Sequence, residues 1–191
     1  MTAIILLGPP GVGKGTQANI ICEKLGIPAI STGQIFRQNI AENTELGQRA
    51  QEYMSRGEFV PDSVTNPMVE VRLSAPDTEA GFLLDGYPRN LEQVHVLRDM
   101  LAKQGKKIDV VLELTAPDEV LTARMMKRAQ EEHRSDDTPE VFQRRVEIYH
   151  EHTEPIATYY ADQDLLVQVN SEGSVEEVTQ AIIDVLSKFG A

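Results

Sequence analysis

Five short apolar runs punctuate the chain: Ala3–Leu7, Pro28–Ile30, Gly81–Leu84, Val110–Leu114 and Leu165–Val169. None alternates apolar with polar positions, as a strand with one wet face would. Continuous runs of this kind predict strands buried on both faces, which a parallel sheet covered by crossover helices requires. The stretches between them carry helical spacing and punctuation. Residues 15–25 stop at Gly26 and 91–104 at Gly105, each a natural left-handed cap. A helix over 117–132 opens on Pro117, where a first turn tolerates proline. Ser174 and Glu177 make a capping box for a last helix reaching Phe189. The pattern predicts an α/β fold: a five-stranded parallel sheet, doubly wound, with helices on both faces. Ligands then bind at the carboxyl ends of the strands.

Two regions break the alternation. Residues 32–60 are polar and helical, with Gly47 and Gly57 as breaks and no strand; they predict a small helical insert standing on the core. Residues 127–139 are charged without an apolar period, which predicts an exposed loop or frayed helix end before a long helix from Pro139. Pro67 falls in an otherwise helical stretch. Either Asn66 caps a helix with Pro67 at its first position or the helix kinks there, and the cap is the favoured reading. At 191 residues, without an internal repeat, a single domain over 1–191 is expected.

Composition narrows the function classes. The single cysteine, Cys22, excludes a disulfide framework and a cysteine-cluster zinc site; it lies on the apolar face of the first helix as a packed thiol. The N-terminal apolar run is too short for a signal peptide or a membrane span, so a cytoplasmic, soluble chain is expected. A net charge of −12 argues against nucleic-acid or anionic-membrane binding, which needs a basic face. If such a chain handles polyanions, its few cations must converge.

One motif tells where. Gly8-Pro9-Pro10-Gly11-Val12-Gly13-Lys14-Gly15-Thr16 follows the first predicted strand and opens the first predicted helix. Glycines let backbone N–H groups cradle a phosphate, and the helix N-terminus adds its positive end. Lys14 would reach the outer phosphates and the Thr16 hydroxyl a Mg²⁺ ion, although Gly15 separates the two. Asp85 ends the third strand and is placed either to hold Mg²⁺ through water or to cap the next turn. Arg124 and Arg128 share a helix face, and Arg134 lies in the charged segment, Arg145 on the helix after it. Arg37 and Arg89 each follow a strand end. Arg144, His150 and His152 read as surface residues, Tyr159 and Tyr160 as packing. Asp136 and Asp137 read as partners for nearby arginines.

The ordered set Gly8–Thr16 with Gln17, Ser31-Thr32-Gly33 with Arg37, Asp85-Gly86-Tyr87-Pro88-Arg89 with Gln93, Arg124, Arg128, Arg134–Asp137, Arg145 and Tyr159-Tyr160 resembles the adenylate kinase family over essentially the whole chain. The resemblance implies a P-loop kinase that transfers a phosphoryl group reversibly from Mg·ATP to AMP, giving two ADP. It implies an AMP-binding insert over 31–60 and a lid over 127–137, of the short form because only Ala129–His133 separate Arg128 from Arg134. It places Gly11, Val12, Gly13, Lys14, Gly15, Thr16, Arg128 and Gly173 at ATP, with Arg124 near the triphosphate. Thr32, Arg37, Glu58, Phe59, Val60, Gly86, Tyr87, Pro88, Arg89 and Gln93 would line the AMP site. Arg134 and Arg145 would bridge the AMP phosphate and the transferred group, and Lys14, Arg89, Arg124, Arg134 and Arg145 would act on the reacting phosphates. No structural zinc is expected, and a monomer is.

The nearest rivals are a UMP/CMP-type nucleoside monophosphate kinase and a non-catalytic ATP-binding module. Thr32 and Gln93 speak for adenine, since a glutamine amide both donates to and accepts from its edge; Asn90 leans toward the pyrimidine relatives. No Asn-Lys-x-Asp motif supports a GTPase.

Overall fold

A computed structural model describes residues 2–132 and 138–189. The elements in chain order are β1 (Thr2–Leu7), α1 (Lys14–Leu25), β2 (Ala29–Ser31), α2 (Thr32–Ala41), α3 (Glu45–Met54), α4 (Asp62–Leu73) and β3 (Gly81–Asp85). There follow α5 (Leu91–Lys103), β4 (Val110–Thr115), α6 (Asp118–Glu132), α7 (Pro139–Ile148), α8 (Glu154–Ala161), β5 (Leu166–Asn170) and α9 (Val175–Leu186). All sheet pairings are parallel, in the order β2-β3-β1-β4-β5.

The two-residue period of the strands sorts the core into two layers. Ile4, Leu6, Leu83 and Leu112 pack with Ile21 of α1, Leu121 of α6 and Ile182 of α9. Ala3, Ile5, Phe82, Leu84 and Val111 pack with Val69 of α4, Leu97 of α5 and Ile156 of α8. Cys22 is buried in the first layer, where desolvation pushes its thiol up to about 11. A third cluster, Phe36, Ala50 and Val60, holds α2 and α3 together at one end of the sheet.

Four expectations are corrected. β5 is an edge strand, paired only to β4, and Gln168 is exposed on it rather than buried on both faces. Gly47 is no break: it lies inside α3, and a Cβ there would sit 2.1 Å from the Asn39 carbonyl oxygen of α2. The turn between these helices is made by Asn43 at φ 52, whereas Gly57, at φ 73, does end the pair. Asn66 does not cap a helix, because α4 already starts at Asp62 and runs through Pro67. The Asn66 side chain instead accepts the Tyr87 hydroxyl at 2.9 Å. The helix from Pro139 is interrupted by a π-turn over Tyr149–Thr153 before α8 begins.

Candidate active site

The register of the sheet gathers the site. Asp85 pairs with Leu6 on one side and with Ser31 on the other, so the ends of β1, β2 and β3 meet at one carboxyl edge. The phosphate-loop motif leaves β1 there and enters α1, with Gly8, Gly11 and Gly13 all at positive φ. Lys14 folds back over this loop and donates from Nζ to the carbonyls of Gly8 and Pro9, at 2.6 and 3.0 Å. Gln17, one turn on, is buried, and its Nε2 donates to Val175 O at 3.0 Å while its Oε1 accepts from Thr179. That bond ties the start of α1 to the start of α9.

A single cavity of about 780 Å³ opens on this edge. One wall is Gly11, Val12, Gly13, Lys14, Gly15 and Thr16 with Arg124, Arg128 and Gly173. The opposite wall is Thr32, Arg37, Glu58, Phe59, Val60, Gly86, Pro88 and Gln93. Asp85, Arg89 and Arg145 also border it. Tyr87 does not. Its ring is buried in the second core layer, and its hydroxyl donates to Asn66 Oδ1 at 2.9 Å. Arg134, Ser135, Asp136 and Asp137, in the last part of the expected lid, lie outside the described residues.

The cations converge as the acidic composition demands. Burial pushes Lys14 down to about 8; Asp85 opposes that shift, and Arg89 and Arg128 reinforce it. Burial likewise brings Arg89 down to about 10, with Arg145 and Arg37 adding to the effect and Asp85 resisting. Lys14, Arg37, Arg89, Arg128 and Arg145 thus crowd one cavity with Asp85 among them, an arrangement suited to a polyanion.

Local bonds hold these groups. Arg89 donates from Nε to Gly86 O at 2.8 Å, and Thr32 donates its hydroxyl to the same oxygen at 2.9 Å. Gly86 sits at φ 78, and a Cβ there would meet Thr32 Oγ1 at 2.8 Å, so a larger residue would have to displace the Thr32 hydroxyl as well as take a left-handed backbone. The guanidinium of Arg89 lies 5.1 Å from the Phe59 ring centroid, and Thr153 donates to the Arg89 carbonyl at 2.8 Å. Arg124 bridges the phosphate loop and the segment after β5: it donates to Val12 O at 3.2 Å and to Ser171 O.

Sequence reasoning passed over several residues that border or brace the cavity. Lys127 lines it but was hidden in a charged segment. Asp62 accepts from Gln93 Nε2 at 2.7 Å, a contact across 31 residues with no linear signal. Gln17, already part of the ordered motif set, braces the cavity from the apolar face of α1. Asn90, which had leaned toward the pyrimidine relatives, caps α5 by accepting the Gln93 N–H at 2.8 Å. Among the described residues, no helix is long and apolar enough to cross a membrane.

A parallel sheet that feeds a phosphate loop into a helix, with arginines facing it across a two-walled cavity, defines a P-loop nucleotide kinase. The comparisons with known proteins make this specific. A family model described as adenylate kinase matches residues 6–165. An adenylate kinase of Pseudarthrobacter chlorophenolicus is 52% identical over 186 residues, covering 97% of each chain. Those of Thermobifida fusca and Kocuria rhizophila are each 50% identical, over 96% and 98% of this chain and 97% and 100% of their own. The chain belongs to the adenylate kinase family.

Proposed function

We propose that the cavity is the site of reversible phosphoryl transfer, Mg·ATP + AMP ⇌ 2 ADP, with the donor on the phosphate-loop wall and AMP on the α2–α3 wall. One observation carries this reading: Lys14, Arg37, Arg89, Arg128 and Arg145 all line one cavity, beside the phosphate loop on one side and Thr32 and Gln93 on the other. Phosphoryl transfer asks little covalent chemistry of a protein. It asks for in-line placement of two polyanions and for cations where charge spreads over the moving group.

The backbone of Gly11–Thr16 and the N-terminus of α1 would hold the donor phosphates, with Arg128, Arg124 and the backbone of Gly173 beside them. Thr32, Arg37, the Glu58–Val60 segment, Gly86, Pro88 and Gln93 would hold AMP. Arg89 and Arg145 would bind the acceptor phosphate. Arg89 and Lys14 are coupled in charge, which suits groups that act on the two ends of one transfer. The acceptor phosphate is itself the nucleophile, so no general base is needed.

Thr16 and Asp85, a hydroxyl and a carboxylate facing the same cavity, suit Mg²⁺, which keeps several waters and takes its other ligands from phosphate oxygens. When bound, the ion would neutralise charge on the donor phosphates. Arg134 keeps its expected bridging role as part of this proposal, as do the insert over 31–60, the short lid over 127–137, a monomeric state and a cytoplasmic location.

The test is a coupled assay of purified protein with Mg·ATP against AMP, UMP, CMP and GMP, run beside Arg89→Ala. Turnover with AMP alone, reduced by about 10²–10³ in the variant, is the expected result. Preference for a pyrimidine acceptor, or undiminished turnover in the variant, refutes the assignment.

A further inference from the structure

Gln93 borders the cavity while only 2% exposed, and both ends of its amide are already held. Its Oε1 accepts the backbone N–H of Arg89 at 2.7 Å. Its Nε2 donates to Asp62 Oδ1, also at 2.7 Å. A glutamine amide has two donor hydrogens and two acceptor positions, so one of each remains. Turning the amide over would set Nε2 against the Arg89 N–H and Oε1 against the Asp62 carboxylate. Both contacts would be repulsive. The order of donor and acceptor that Gln93 offers is therefore fixed by its surroundings.

Asp62 is well placed to enforce this. It opens α4, is half-buried, and also accepts Asn90 Nδ2 at 3.2 Å. Asn90 in turn caps α5, the helix that carries Gln93. An ionised carboxylate only accepts, so it rejects the inverted amide; a neutral amide in its place would serve either orientation.

The geometry points to Asp62 as a positioning residue that sets the base specificity of the acceptor site by locking the Gln93 amide in one orientation. The inference rests on the reading that Gln93 meets the base of the acceptor. Adenine presents a 6-amino donor beside the N1 acceptor, and hypoxanthine presents a 6-oxo acceptor beside an N1–H donor. With the phosphate fixing which way round the nucleotide enters, a locked amide matches one of these edges and opposes the other. Without the Asp62 carboxylate only the Arg89 N–H opposes the inverted amide, so the other edge is met at the cost of one unfavourable contact instead of two.

The experiment compares kcat/KM for AMP and for IMP in the wild type, Asp62→Asn, Asp62→Ala and Gln93→Ala, with thermal unfolding of each. IMP is the informative probe because it differs from AMP only at this edge. Asp62→Asn keeps the size of the side chain and the start of α4, so a purely structural role would leave its AMP:IMP ratio at the wild-type value. The expected result is a ratio lowered about tenfold in both Asp62 variants, the worth of one hydrogen bond to a charged group, and lowered in Gln93→Ala as well. A ratio that falls in Gln93→Ala but stays at the wild-type value in folded Asp62 variants overturns the lock and leaves Gln93 at the base. A ratio unmoved in Gln93→Ala overturns the placement of Gln93, and the lock with it.

Discussion

The change Gly47→Ala separates two opposite expectations. In an open helix, alanine in place of glycine stabilises by about 1 kcal/mol, because the unfolded chain loses freedom and the folded one gains propensity. Gly47 is not in an open helix. Its α-carbon faces the backbone of α2, and a Cβ would stand 2.1 Å from the Asn39 carbonyl oxygen, 2.3 Å from the carbonyl carbon and 2.5 Å from Ile40 N. No side chain can swing aside, since all three atoms are backbone. Ordinary contact would need α3 to retreat by roughly 1 Å, which strains the Phe36–Ala50–Val60 cluster and the Thr44 cap. Overpacking of this kind costs about 1–3 kcal/mol, and only part is returned as propensity. The expected outcome is a net loss of about 1–2 kcal/mol, or several degrees in Tm at 2–4 °C per kcal/mol for a chain of this size. Urea melts at fixed temperature measure it directly. Equal or greater stability of the variant would refute the packing argument and restore Gly47 as a flexible break.

Two further outcomes follow from the site. With Lys14 at about 8 in the free protein, kcat/KM for ATP should fall as the pH rises above that value, while kcat holds to higher pH because bound triphosphate favours the charged amine; pH profiles of both constants check this, and a flat kcat/KM to pH 10 sinks it. Tyr87→Phe removes a buried hydroxyl from Asn66, so it should cost about 1 kcal/mol of stability yet leave KM for AMP within about twofold, as calorimetry and initial rates would report; a large KM change would put Tyr87 back in the AMP site.

What could be read from the chain was whatever has a local cause. Strands β1, β3 and β4 declare themselves as apolar runs because they are buried on both faces. The phosphate loop declares itself because glycines, a lysine and a helix start must be contiguous. Even the cap at Ser174 is a four-residue matter. The readings that failed are those decided by a distant partner. Gly47 looks like a breaker and is a contact with Asn39; Asn66 looks like a cap and is taken by Tyr87. Tyr87 itself shares a motif with residues of the cavity, but the chain turns between Gly86 and Arg89 and sends its ring into the core. Asp62 has no local signature at all, since what matters about it lies on α5.

The charge distribution completes the physical picture. The chain carries −12 overall, so at long range it repels the anions its family acts on. Exposed pairs such as Arg56–Glu58 and Arg98–Asp99 absorb other cations and contribute little to stability. Inside the cavity the balance inverts: Lys14, Arg37, Arg89, Arg128 and Arg145 line it together with Asp85, and screening over about 8 Å confines their field to the cleft. Burial of the Lys14 amine carries a cost, to which Arg89 and Arg128 add. Lys14 titrates in the folded state at about 8, below its value of 10.5 in the open chain, so the unfolded form holds more protons between those values. Its unfavourable contribution is therefore full below pH 8 and fades as the pH climbs toward 10.5. A bound polyphosphate would offset that cost by pairing with the charged amine, without any change of pH, which makes nucleotide binding and stability two readings of one electrostatic arrangement.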